Sequence, residues 1–135
     1  MMNEPLSLIM TRDVITADQN DSLAVARNIF LKNKVHHLPI VNGSRLVGIL
    51  TTYDLFKLNG SQKSIGYDDM TIKDIMTTHI ATLEPEDKIG SAAELFLENL
   101  FHAVPIVKDG HLEGIVTSFD VIKYEFMKEY PTQVI

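Results

Sequence analysis

The sequence predicts an α+β fold of the α/β type, built from two tandem β-α-β-β-α repeats packed about a pseudo-two-fold axis. Three observations lead there. A shift of 66 residues aligns Leu6–Leu58 with Ile72–Tyr124 without a gap, and 19 of the 53 aligned positions are identical. Each copy holds one segment of helical period followed by two apolar runs split by a turn. One copy alone has too little apolar surface to close a core, so two must pack together.

The elements follow in order. Val14-Ile15-Thr16 is a short β-favouring run, mirrored by His79-Ile80-Ala81-Thr82. Asp21 is placed to cap a helix reaching about Asn33, with Leu23, Ala26, Ile29 and Phe30 at helical spacing. Asp87, Ile89, Ala92, Leu95 and Phe96 repeat the pattern. The apolar runs Leu38–Val41 and Leu46–Leu50 flank Asn42-Gly43-Ser44-Arg45, a hairpin signal. Val104–Val107 and Leu112–Val116 flank Lys108-Asp109-Gly110-His111 in the same way. Runs apolar throughout suit strands covered on both faces. A second helix begins at Thr51 or Thr117. The boundaries expected are a first motif over 6–58, a linker over 59–71, a second motif over 72–124, and a helix end and tail over 125–135. The linker carries Gly60, Ser61, Ser64 and Gly66. Thr71-Ile72-Lys73-Asp74 has the spacing of a capping box opening a short lead-in helix, and Pro5 precedes the equivalent turn in the first copy. The last helix should stop before Pro131.

Composition narrows the function. The chain has 135 residues, 45% of them apolar and 22% charged, the profile of a folded protein. No apolar run approaches the ~18 residues of a membrane span, and the N-terminus lacks the pattern of a signal peptide. A cytoplasmic protein without membrane contact is expected. The absence of cysteine excludes disulfides, thiolate nucleophiles and Cys-ligated metals. A net charge of −6 argues against a duplex nucleic-acid binder, yet leaves room for a small phosphorylated ligand. No Gly-x-Ser-x-Gly elbow and no P-loop occurs, and the Asp residues stand at duplicated positions, so no enzyme activity is expected.

Three motifs recur in one order: Ile-Met-Thr before the first strand, an apolar-Pro-Ile-Val strand, and Gly-Ile-(Leu/Val)-Thr-x-x-Asp. In this order the chain resembles the CBS domain, named for cystathionine β-synthase, present as a tandem pair or Bateman module over about Leu6–Tyr124. The resemblance implies a non-catalytic sensor that binds AMP, ADP, ATP or S-adenosylmethionine between two motifs and requires no other cofactor. It also implies a homodimer, and signalling in trans to an unidentified protein partner. The competing reading is a dimerisation or interaction scaffold with empty or degenerate sites.

Thr51-x-x-Asp54 and Thr117-x-x-Asp120 have capping-box spacing at a helix start. The resemblance adds ligand contact, with Thr facing phosphate or ribose and Asp accepting from the ribose diol. An ionised carboxylate only accepts, so it matches a diol that must donate. The resemblance assembles each site across the pair: Thr51 and Asp54 with Ala81, Phe101 and His102, and Thr117 and Asp120 with Ile15, Val35, His36 and His37. Ile15, Val35, Ala81 and Phe101 suit a plain core equally well. His36, His37 and His102 are surface or packing residues by the ordinary reading and phosphate partners by the resemblance. They lack metal-ligand spacing, so no metal site is expected. Met10 and Met76 read as packing residues. The copies differ in charge, +2 for Leu6–Leu58 (six basic, four acidic) and −5 for Ile72–Tyr124 (four basic, nine acidic).

Overall fold

Both predicted hairpins form. The computed structural model describes residues 2–61, 69–99 and 102–131, in two compact units. One joins Met1–Val14 to Ala81–Ile135, and the other is Ile15–Ile80.

The Ile15–Ile80 unit contains β1 (Ala17–Asp18), α1 (Leu23–Asn33), β2 (His37–Asn42), β3 (Arg45–Thr51) and α2 (Thr52–Ser61). β1 pairs parallel with β2, which pairs antiparallel with β3. The other unit contains α3 (Ile89–Asn99), β4 (Ala103–Lys108), β5 (His111–Thr117) and α4 (Ser118–Glu129), with β4 and β5 antiparallel. Each hairpin turns on two residues rather than the four expected, Gly43-Ser44 and Asp109-Gly110. Gly43 (φ 69), Asp109 (φ 52) and Gly110 (φ 85) take the left-handed backbone that such tight turns demand. Both hairpins carry a register break at the same point, between Ile40 and Val41 and between Ile106 and Val107. Val47 and Glu113 are the extra residues of these two bulges.

Local expectations needed three corrections. The first strand is not Val14–Thr16 but Ala17–Asp18, and of the expected His79–Thr82 run no strand forms; Leu83 alone bridges to Ile106. Burial decides this: Ala17 is buried, whereas the more β-favouring Ile15 is 38% exposed. Ser22, not Asp21, caps α1, accepting the Val25 N–H at 3.3 Å. Asp21 and Asp87 close the turn before each helix instead, accepting N–H groups three residues back from Asp18 (3.1 Å) and Glu84 (2.7 Å). The strands are not covered evenly. Leu38, Pro39 and Ile40 of β2 are all buried, but β3 alternates along its second half. The ends of α1 and α4 agree with expectation. α1 ends at Asn33 with Lys34 in the left-handed cap, and α4 stops at Glu129 with Tyr130 as its cap. Thr71 and Asp74 bond across the turn Ile72–Asp74 as expected, whereas α2 runs to Ser61, three residues into the expected linker. Residues 62–68 of the expected linker lie outside the described residues.

Each core draws its lead-in segment from the other copy of the repeat. Leu6 and Met10 are buried with Ile89, Ala92, Phe96, Val104, Ile106, Val116 and Val121. Ile72 is buried with Leu23, Ala26, Phe30, Leu38, Ile40, Leu50 and Leu55, with Ile75 and Met76 packed at the margin. The backbone records the same exchange. Thr11 and Ile115 trade N–H···O bonds of 2.9 and 3.0 Å, as do Thr77 and Ile49 at 3.0 and 2.9 Å. Gly114 and Gly48 make the approach possible. An added Cβ at Gly114 would stand 2.7 Å from the Thr11 carbonyl oxygen, and one at Gly48 would stand 2.9 Å from that of Thr77. Met10 and Met76 are the packing residues expected.

Candidate functional site

The two Thr-x-x-Asp segments fold alike because each ends a strand and opens a helix in one step. The Thr51 N–H donates to Asp54 Oδ2 at 2.9 Å, and the Asp54 N–H donates to Thr51 Oγ1 at 3.2 Å. Thr117 and Asp120 make the same pair at 2.8 and 3.2 Å. These reciprocal bonds satisfy helix N-terminal donors and fix both side chains. They also place a carboxylate at the positive end of a helix dipole. The cap uses Oδ2 and leaves Oδ1 outside it. All four residues are half-buried, so the cap residues remain reachable from solvent.

The histidine segments meet these caps within each unit. The Thr52 N–H donates to the His36 carbonyl at 3.2 Å, and His37 stands opposite Thr51 in the β2–β3 register. The Ser118 N–H donates to the His102 carbonyl at 2.9 Å, and Ala103 stands opposite Thr117. His36 and His102 are exposed, and His37 is half-buried. The structure thus brings His36, His37, Thr51 and Asp54 together in one unit, and His102, Thr117 and Asp120 in the other. Val35 packs at the margin of the first of these cores. Ile15 precedes β1, and Ala81 is half-buried before Leu83. Phe101 lies outside the described residues. Among the described residues no three His, Asp or Glu side chains gather as a metal site.

Sequence reasoning missed a groove of about 540 Å³ beside Asp120. It is lined by Leu8, Ile9 and Thr11 of the lead-in and by Asp120, Lys123, Tyr124, Met127 and Lys128 of α4. The spacing of the α4 residues, i, i+3, i+4, i+7 and i+8, is one helix face and was a readable signal. At its end the Tyr124 hydroxyl donates to Glu4 Oε1, Lys128 Nζ donates to Tyr124 Oη at 3.3 Å, and Lys128 stands 3.9 Å from Glu4. The Glu4 carboxylate raises the Tyr124 pKa above the ordinary phenol value, because it accepts the proton that ionisation would remove. A second groove of about 450 Å³ is lined by Arg12, Glu86, Lys108 and Glu113 among others. Its charges are largely answered internally, Lys108 pairing with Glu86 at 3.0 Å and Arg12 donating to the Ser7 carbonyl at 3.2 Å.

Comparison with known proteins adds the family. The family model described as the CBS domain matches the chain twice, over residues 6–60 and 72–126. The L-aspartate semialdehyde sulfurtransferase of Methanocaldococcus jannaschii is 33% identical over 125 residues, covering 89% of this chain and 23% of that protein. The homoserine O-acetyltransferase of Methanohalobium evestigatum is 32% identical over 118 residues, covering 86% and 23%. The chain spans less than half the length of the curated relatives it matches. Among solved structures, protein MJ1225 from M. jannaschii superposes with a TM-score of 0.84 at 32% identity, over 92% of this chain and 48% of that one. The CBS domain pair of protein MJ0100, in complex with 5′-methylthioadenosine and S-adenosyl-L-methionine, superposes with a TM-score of 0.81 at 30% identity, over 93% and 98%. CBSX2 in complex with AMP superposes with a TM-score of 0.81 at 25% identity, over 93% and 98%. Matched in both of its repeats, the chain belongs to the CBS domain family as a tandem pair.

Proposed function

We propose that this chain is a non-catalytic regulatory module that binds an adenosine-containing ligand and signals its occupancy to a protein partner in trans. The duplicated strand-to-helix cap carries the reading. In both copies Oδ2 of the Asp is spent on the Thr N–H, while Oδ1 is left as an acceptor for a ribose hydroxyl. The complexes of MJ0100 with 5′-methylthioadenosine and S-adenosyl-L-methionine and of CBSX2 with AMP support an adenosine-containing ligand, and AMP, ADP, ATP and S-adenosylmethionine are the proposed candidates. Thr51, Asp54, Thr117 and Asp120 are the proposed ribose and phosphate contacts. His36, His37 and His102 are proposed against phosphate, and Ile15, Val35, Ala81 and Phe101 against the rest of the ligand. No further cofactor is required. Among the described residues no helix is long and apolar enough to cross a membrane, and we place the chain in the cytoplasm.

A homodimer belongs to the same proposal. α4 exposes Phe119, Ile122, Phe126 and Tyr130 at helical spacing, and α2 exposes Tyr53 and Phe56. Large side chains in such a stripe are what a second copy of the chain would cover.

The test is calorimetry and thermal shift with AMP, ADP, ATP and S-adenosylmethionine, since a ligand of the folded form alone raises its stability. Asp54→Asn and Asp120→Asn keep an oxygen for the Thr N–H while removing the charge. Each should weaken binding at its own site by roughly 1.5–3 kcal/mol, the scale of a charged hydrogen bond. Wild-type affinity in both single variants and in the double variant would overturn the site. Absence of binding by the wild type would leave the scaffold reading in its place.

A further inference from the structure

The α4 groove has an acid at one end, Asp120, and a cation at the other, Lys128, with Lys123 between. Eight residues of helix separate its ends, a rise of about 12 Å. That is comparable to the reach from a ribose to the outer phosphates of a nucleoside triphosphate, and a monophosphate falls short of it. Lys128 meets two groups of its own chain, the Tyr124 hydroxyl and the Glu4 carboxylate. We infer that Lys128 selects ligands by the length of their phosphate chain, and that Glu4 is its built-in competitor. A chain long enough to reach Lys128 displaces the Glu4 carboxylate, whereas a monophosphate leaves it seated. This rests on the ligand reading above, with the ribose at Asp120.

The Glu4–Tyr124–Lys128 side-chain contact is not a feature shared by the two copies. The Ile89 N–H at the start of α3 donates to the Glu4 carbonyl at 2.9 Å, and the Leu23 N–H at the start of α1 donates to the Met70 carbonyl at 3.0 Å. The backbone role is therefore present in both copies. The side chains differ. Under the 66-residue shift Glu4, Tyr124 and Lys128 correspond to Met70, Leu58 and Gln62. One copy has a carboxylate, a phenol and an ammonium where the other has none of the three. The contact is also weak enough to yield, since Lys128 and Glu4 are both about half exposed and 3.9 Å apart.

The experiment is calorimetry of AMP, ADP and ATP on the full chain, with Glu4→Gln and Lys128→Ala. Glu4→Gln keeps an oxygen for the Tyr124 hydroxyl and removes the competing charge. It should tighten ATP about three- to fivefold, the yield of an exposed ion pair, and change AMP by less than about twofold. Lys128→Ala should remove the advantage of ATP over AMP. Equal shifts for all three nucleotides in either variant would overturn the inference. If the wild type binds none of them, the ligand reading fails by itself and inorganic tripolyphosphate becomes the probe. Tighter tripolyphosphate binding by Glu4→Gln than by wild type would then uphold the subsite, and equal or absent binding would overturn it.

Discussion

Gly114→Ala should destabilise the protein even though it adds one methyl group and removes a flexible residue. The new Cβ would lie 2.7 Å from the Thr11 carbonyl oxygen and 2.9 Å from Met10 Sδ. The thioether can swing aside, but the carbonyl cannot, because it accepts the Ile115 N–H at 3.0 Å. Restoring an ordinary contact requires the lead-in to retreat by about 0.7 Å, which stretches that bond beyond the usual range. Overpacking of this kind costs about 1–3 kcal/mol, and a lost backbone bond adds about 0.5–1.5. Reduced freedom of the unfolded chain returns about 0.4–1 kcal/mol. The expected net loss is about 0.5–4 kcal/mol, centred near 2. Urea unfolding followed by circular dichroism measures it, with an unchanged m-value showing that the folded state stays compact. Gly48→Ala, facing Met76 Sδ at 2.6 Å and the Thr77 carbonyl at 2.9 Å, should behave alike. Gly43→Ala is the contrast: it meets nothing within 4 Å, so its cost comes from φ +69 alone and should not respond to trimming Met76. A Gly114→Ala protein within about 0.5 kcal/mol of wild type, the range of an ordinary surface change, would refute the seating of the lead-in over this glycine.

The Lys108 ammonium holds Glu86 below the usual carboxylate range, chiefly by its hydrogen bond. Its small contribution is therefore present above the unfolded carboxylate value and lost as pH falls through the depressed folded value. Lys108→Ala should flatten that acid limb, and so should high salt. Tyr124 runs the other way, its raised value giving stability that fades as pH rises through it; Tyr124→Phe should flatten the alkaline limb of the stability curve. Light scattering at tens of micromolar should give a dimer mass, and Phe126→Glu on the exposed face of α4 should give a monomer; a wild-type monomer would remove the homodimer. His36→Ala/His37→Ala should weaken ATP more than AMP in calorimetry, and an unchanged preference in that protein would separate it from those side chains.

The larger pattern was legible because duplication doubled every signal. Two apolar runs around a Gly-containing turn mark a hairpin, and Thr-x-x-Asp at a strand's end marks a cap, whatever the rest of the chain does. The misreadings share a cause. Ile15 outranks Ala17 in strand propensity, yet Ala17 is small enough to be buried beside β2, so packing overrode propensity. Asp21 and Ser22 are both good caps, and only the backbone path decides which one meets the helix donors. The α4 groove depended on a partner from outside the copy, because Leu8, Ile9 and Thr11 come from the other end of the chain. A search within one repeat has no access to that.

The exchange of lead-ins also gives the candidate site its mechanical meaning. The residues that close the α4 groove from one side are continuous with Met10, buried in the core, and with Thr11, hydrogen-bonded to Ile115. On the other side stands Asp120, fixed by its cap three residues beyond the last strand. A ligand that draws on Asp120 and Lys128 therefore touches a segment that belongs by sequence to the first copy and by packing to the second. Displacing Glu4 would act on the same segment, whose backbone also closes the N-terminus of α3 through Ile89 and Gly90. Such a segment can report occupancy without any rearrangement inside a repeat, because only its hold on α4 and α3 has to change. The glycines at 48 and 114 mark how little slack exists. Where a single methyl group is too much, a sub-ångström movement of the lead-in already alters its packing.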